Sequence, residues 1–140
     1  MKRIVYAPGV WDMLHIGHLS FLQKASTLGD LLIVGVPTDK VVIEDKGRPP
    51  IISCPERLRM LNALECVSTA VIYNRLEFIS HLETFEPTVF AIGEYFGGAT
   101  RHTEALTWCE NHNTTVARIS YYAGESTSKI VERVLDRGAI

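Results

Sequence analysis

Two histidines three residues apart, His15 and His18, close the string Pro-Gly-Val-Trp-Asp-Met-Leu-His-Ile-Gly-His that runs from Pro8 to His18. On the first turn of a helix that spacing puts both imidazoles on one face. Aimed at one point, they can donate hydrogen bonds to phosphoryl oxygens as negative charge builds there during a displacement at phosphorus. Gly17 between them lets a ligand come close to the backbone. Two such histidines taken alone equally describe a surface pair, and as metal ligands they lack a Cys or acidic third partner at a useful spacing. Context strengthens the chemical reading. The apolar run Ile4-Val5-Tyr6-Ala7 precedes the string, and Leu19, Phe21, Leu22 and Ala25 follow it, so a strand ends and a helix begins here. The first N–H groups of a helix have no intrahelical partner and carry the positive end of its dipole, which suits a phosphate.

Three further stretches carry candidate chemistry. The loop Asp45-Lys46-Gly47-Arg48-Pro49-Pro50 sets two cations beside a glycine and two prolines. Lys46 and Arg48 can neutralise a leaving group or a phosphorylated second substrate, and loop closure excludes water; in isolation the same composition describes a solvated surface loop. Gly93-Glu94-Tyr95-Phe96-Gly97-Gly98 permits a tight turn and close approach to a base or ribose. Its two aromatics either line a nucleotide pocket or pack into the core. Near the end, Tyr121-Tyr122-Ala123-Gly124-Glu125 leads into Ser126, Thr127 and Ser128. One hydroxyl suffices to cap a helix, so three in a row beside free helix N–H groups make a second anion site. Arg57 and Arg59 lie in the first turn of a predicted helix, where they oppose the dipole that Glu56 satisfies. At least one of them has another task; Arg57 is the candidate, and Arg59 is read as a surface residue or a partner of Glu56 or Glu65.

The elements that must position these residues alternate along the chain. Strands are predicted over 3–7, 31–36, 67–73, 88–92 and 115–119, and helices over 18–28, from Pro55 onward, and over 75–84, 103–112 and 127–137. The charged, Gly- and Pro-containing segment 38–55 is read as a loop with a short helical turn. Strand and helix in turn call for a parallel sheet with right-handed crossovers and helices on both faces. The expectation is a single α/β domain, 1–140, with a five-stranded parallel sheet in a Rossmann-like three-layer fold. In such sheets ligands bind beyond the carboxyl ends of the strands, where all four candidate stretches lie.

Composition removes several function classes. A net charge of -2 offers no footprint for a nucleic-acid backbone. The three cysteines, Cys54, Cys66 and Cys109, are widely spaced and form no CxxC pair, so a reduced, cytoplasmic setting is expected. No run approaches the roughly 18 to 20 apolar residues of a membrane span, and the stretch before Pro8 is too short for a signal peptide's apolar region.

The string from Gly9 to His18 resembles the signature of the cytidylyltransferase-like nucleotidyltransferases, Gly-x-Phe-Asp-x-x-His-x-Gly-His. Gly9, Asp12, His15, Gly17 and His18 match it, and Trp11 replaces the Phe. Glu125-Ser126-Thr127-Ser128 is similar to the family's second signature, Ile-Ser-Thr-Ser/Thr, with Glu125 for the apolar first residue. Lys46 with Arg48, Arg57, and Gly93 with its aromatic register match further family positions, although Glu94-Tyr95 replaces the usual acidic run.

The resemblance implies that a phosphorylated small molecule attacks the α-phosphorus of a nucleoside triphosphate and pyrophosphate leaves. His15 and His18 then hold the reacting phosphoryl group and Lys46 the incoming or leaving phosphate. Arg57 and the hydroxyls of Ser126, Thr127 and Ser128 hold the triphosphate. Gly9, Val10, Trp11, Asp12, Gly17, Gly93 and Glu94 complete the nucleotide site, and Lys46, Arg48, Tyr95 and Tyr121 face the second substrate. Magnesium travels with the triphosphate, with Asp12 orienting the motif or assisting the metal. A homodimer is implied.

Small cytidylyltransferases are the nearest likeness, which favours CTP. Glycerol-3-phosphate cytidylyltransferases carry Arg-Thr-Glu-Gly where this chain has Tyr121-Tyr122-Ala123-Gly124, which argues against glycerol 3-phosphate. Heptose 1-phosphate adenylyltransferases share both signatures, lack the same Arg and also place Lys-Gly before Arg-Pro, so ATP acting on a sugar 1-phosphate is the alternative. A nucleotide-binding regulatory module without turnover is the alternative of another class.

Overall fold

The computed structural model describes Met1–Gly138; the last two residues of the expected 1–140 domain lie outside the described residues. Side chains alternate between the two faces with period two, and the three central strands are buried almost continuously because both of their faces are covered. In β1 (Ile4–Pro8), Val5 and Ala7 join one apolar cluster and Tyr6 the other. In β2 (Leu31–Pro37), Leu32, Val34 and Val36 face the first cluster and Ile33 the second. In β4 (Val89–Gly93), Ala91 faces the first, and Phe90 and Ile92 face the second. With β3 (Thr69–Tyr73) and β5 (Thr115–Ile119) they form one five-stranded sheet.

Helices α1 (Ile16–Ser26) and α3 (Cys54–Asn62) complete the first layer through Leu22, Ala25 and Leu61. Helices α4 (Ile79–Phe85) and α5 (Thr100–Asn111) complete the other through Leu82, Ala105 and Trp108. The expected three-layer α/β fold is the observed one.

All strand pairs are parallel, in the order β3-β2-β1-β4-β5. The chain winds outward from β1 in one direction and from β4 in the other. A crevice therefore opens beyond the carboxyl ends of β1 and β4, at Pro8 and Gly93.

One element departs from expectation. Residues Asp39–Lys46 form a two-turn helix, α2, inside the segment read as a loop with a short helical turn. Thr38 caps it, its Oγ1 accepting the Val41 N–H at 3.2 Å, and Gly47 ends it in the left-handed region at φ 76°. Five charged side chains in eight residues hide its short apolar face, yet Val41 and Val42 are buried. Smaller shifts have local causes. Helix α4 begins at Ile79 rather than Arg75, because Glu77 accepts hydrogen bonds from the Ser80 N–H and hydroxyl and holds a turn ahead of it. Helix α5 begins at Thr100 rather than Thr103. Helix α6 (Thr127–Asp136) closes the chain and buries none of its own residues. Among the described residues, no helix is long and apolar enough to cross a membrane.

Candidate active site

Beyond β1 the backbone is held in an uncommon shape. Trp11 and Met13 both lie in the left-handed region, at φ 59° and 50°, which costs energy for residues with side chains. Four hydrogen bonds hold it there. The Gly9 N–H and the Trp11 indole Nε1 both donate to the Gly35 carbonyl, at 3.2 and 2.9 Å. A Cβ on Gly9 would come within 2.7 Å of the indole, so only glycine fits beneath that ring. The Asp12 carboxylate accepts the N–H groups of Ile51 and Ile52 at 2.8 and 2.9 Å. Of the two tasks expected of Asp12, the structure shows the first: it ties the motif to the segment after the Lys46–Pro50 loop. Trp11 acts through a buried indole that pins the loop, and borders the cleft as well.

His15 and His18 then sit at the start of α1 as a stacked pair, with ring centroids 3.8 Å apart and planes at 23°. His15 is the N-cap; its Nδ1 accepts the Gly17 N–H at 3.0 Å, and the His15 N–H is donated to His18 Nδ1 at 3.3 Å. A neutral imidazole that accepts at Nδ1 carries its proton on Nε2. Both rings therefore carry an Nε2–H donor, and that of His15 lies within reach of Thr127 Oγ1. The sequence-based picture of a phosphate held by bare helix N–H groups is corrected here. Two of those groups are taken by the rings, and the donors offered to a ligand are imidazole donors.

Burial lowers the pKa of both histidines. For His18 it falls to about 4, driven by burial and then by neighbouring His15, with the Asp12 charge opposing. The two rings are thus neutral donors at pH 7. Between about pH 6.5 and about 4 the unfolded chain binds a proton at His18 that the folded chain refuses, so stability is full above that window and falls as pH drops through it. The cost is expected to approach the order of 3 kcal/mol at the acid end, and H18Q should flatten that slope in urea titrations run from pH 7 to 4.

The far end of the chain arrives at the same point. Thr127 Oγ1 donates to the Asp12 carbonyl at 3.0 Å and lies 3.3 Å from His15 Nε2, although Thr127 and His15 are 112 residues apart in sequence. Ser126 caps α6, its Oγ accepting the Lys129 N–H at 3.1 Å. Of the three hydroxyls, one caps, one ties down the motif and the third, Ser128, borders the cleft. Glu125 and Lys129 border it too, and neither is among the site residues read from the sequence. Glu125 pairs with Arg133 at 2.7 Å and accepts the Ser126 N–H at 3.1 Å. Lys129 holds its Nζ against the Ala123 carbonyl at 2.8 Å. Their only signal was position, in the turn before and the first turn of the last helix.

Lys46, Arg48 and Val10 also line the cleft. The β4 end supplies Gly93, Glu94, Tyr95 and Tyr121. Tyr121 lies across Gly93, where a Cβ would fall 2.5 Å from the phenol oxygen, and its ring meets Tyr95 at 5.5 Å. The two aromatics of this turn divide their roles. Tyr95 is exposed, whereas Phe96 packs against Phe78, Phe90 and His102. The cleft bounded in this way has a volume of about 920 Å³.

With that geometry in view, the sequence model of the cytidylyltransferase-like family matches residues 6–133. The chain belongs to that family. It is 38% identical over 138 residues to the bifunctional protein HldE of Pelobacter propionicus and 33% identical over 136 residues to that of Geobacter sulfurreducens. Those alignments cover 97% and 96% of this chain but 28% and 27% of the relatives, so it spans little more than a quarter of their length. Among solved structures, the lipopolysaccharide core biosynthesis protein of Thermoplasma volcanium superposes with a TM-score of 0.73 at 27% identity, covering 87% of this chain and 99% of that one. The pantoate-beta-alanine ligase of Francisella tularensis shares the fold, with a TM-score of 0.62 at 14% identity over 96% of this chain and 70% of that one.

One expected site residue of this cytidylyltransferase-like domain is elsewhere. The Arg57 side chain is 0% exposed and does not border the cleft. Its Nε donates to the Ile52 carbonyl at 2.8 Å, Nη1 to the Val10 carbonyl at 2.9 Å, and Nη2 to the Pro37 carbonyl and to Asp39 at 2.9 and 2.8 Å. These bonds account for the charge at a helix start that opposes the dipole. Arg57 braces three loops from behind, in place of the triphosphate contact expected of it. For a divalent ion, no cluster of three or more His, Cys, Asp or Glu side chains exists among the described residues.

Proposed function

We propose that this domain transfers an adenylyl group from ATP to a sugar 1-phosphate, with release of pyrophosphate. The observation that carries the reading is the meeting of His15 Nε2 and Thr127 Oγ1, 3.3 Å apart, in a cleft at the sheet's switch point. In this reading an oxygen of the sugar phosphate attacks the α-phosphorus and a new P–O bond forms. The bond to the bridging oxygen of the β-phosphate breaks, and pyrophosphate leaves with the electron pair. His15 and His18 donate their Nε2–H groups to the oxygens on which charge accumulates. Ser126 to Ser128 and Lys129 hold the distal phosphates, and Lys46 and Arg48 face the acceptor. A magnesium ion bound with the triphosphate supplies charge neutralisation.

ATP is preferred here to the CTP favoured from sequence because of two supports. The HldE relatives align along nearly the whole chain. Lys46-Gly47-Arg48-Pro49 and the absence of an Arg before Gly124 follow the heptose 1-phosphate adenylyltransferase pattern. A homodimer and a reduced cytoplasmic setting, suited to three free thiols, belong to the same proposal.

Pyrophosphate release from ATP and from CTP, each paired with heptose, mannose and glucose 1-phosphates and with glycerol 3-phosphate, tests it. Release with ATP and a sugar 1-phosphate at roughly tenfold or more the CTP rate is expected, a difference of about 1.4 kcal/mol at the base. Faster release with CTP would restore cytidylyl transfer. Tight nucleotide binding with no release from any pair would favour the regulatory module.

A further inference from the structure

A second cavity, of about 370 Å³, adjoins the nucleotide cleft across Gly9, Val10 and Lys46. It opens above the carboxyl ends of β2 and β3, at Pro37 and Tyr73, and is walled by Asp45, Arg101 and His102. None of these five residues borders the first cleft, and the hydroxyls of Ser126 to Ser128 do not border the second. The two cavities therefore meet at Gly9, Val10 and Lys46 and extend from there to different residues. A displacement at phosphorus needs adjoining places of this kind, one for the nucleotide and one for the nucleophile.

Inside the second cavity the charges are already set. Arg101, in the first turn of α5, pairs with Asp45 of α2 at 2.6 Å, and both side chains are mostly buried, at 22% and 26% exposure. Lys46 follows Asp45 directly and borders both cavities. His102 accepts the Gly97 N–H at Nδ1, at 3.1 Å, and lies flat on Phe96, so its neutral ring also carries the proton on Nε2. Two cations and two hydrogen-bond donors, Tyr73 and His102, with one carboxylate holding a cation in reserve, suit a phosphomonoester that carries hydroxyl groups.

We propose that this second cavity is the acceptor site, taking a polyhydroxylated sugar phosphate whose phosphate is clamped between Lys46 and Arg101 after displacing Asp45 from Arg101. The inference rests on the transfer reading above and adds to it a site and a clamp. The phosphate oxygen that attacks is already ionised, so no base is required. Arg101 turns from Asp45 to the incoming phosphate, and Asp45 is left free to accept from a sugar hydroxyl.

The test reads KM for the acceptor and for the nucleotide separately, with ATP and CTP against mannose, glucose and heptose 1-phosphates. R101Q is expected to raise the acceptor KM by roughly tenfold or more, the loss of one charge-assisted hydrogen bond, with the nucleotide KM unchanged. D45N removes the competitor and is expected to lower the acceptor KM. Opposite signs from two partners of one ion pair cannot come from a brace whose loss merely loosens the fold. Equal increases in both variants, or nucleotide and acceptor KM rising together in R101Q, would overturn the clamp while leaving nucleotidyl transfer intact. No turnover by the unmodified chain with any pair would instead remove the transfer reading, and the clamp with it.

Discussion

H18A is expected to lower single-turnover pyrophosphate release by two to three orders of magnitude, the scale of losing one preorganised donor to a developing oxyanion (roughly 10²- to 10³-fold). The geometry gives the reason. His18 Nδ1 is committed to the His15 N–H, so the ring's remaining proton is fixed on Nε2, and the residue borders the cleft. Burial keeps the ring neutral, with its pKa near 4, so the donor does not depend on pH across the neutral range. H15A should act in the same direction. It also removes the cap on α1 and costs about 1 kcal/mol of stability, which a denaturation curve separates from the effect on rate. A wild-type rate in both variants would take the imidazoles out of the mechanism.

R57A is expected to cost about 3 kcal/mol or more in unfolding free energy, the scale of leaving several carbonyls without donors at roughly 1–3 kcal/mol each. Four of its five N–H groups are in use, and the carbonyls of Ile52, Val10 and Pro37 would lose their donors together. R57K should rescue little, because one ammonium cannot span three carbonyls that a planar guanidinium reaches at once. The urea midpoint checks this. A variant that kept wild-type stability but lost nucleotide affinity would return Arg57 to the triphosphate contact read from the sequence.

Legibility followed the range over which each signal acts. The strands could be read because a doubly covered strand is apolar throughout, as Leu32 to Val36 is. The motif could be read because its residues are local. The approach of Thr127 to His15 followed only from family likeness, since no spacing in the chain specifies a contact across the sheet. Helix α2 was missed because Asp39, Lys40, Glu44, Asp45 and Lys46 mask a buried face of two valines, although Thr38 and Gly47 mark its ends. Arg57 was misplaced for a related reason. A cation opposing a helix dipole announces that it has partners, and it does not say whether they are phosphate oxygens or the protein's own carbonyls.

Helix α6 buries none of its residues, yet its first turn supplies the hydroxyl that fastens Asp12 and reaches His15. The core therefore does not depend on α6, but the crevice does: fraying of that helix would leave the sheet folded and take away the hydroxyl that bridges Asp12 and His15.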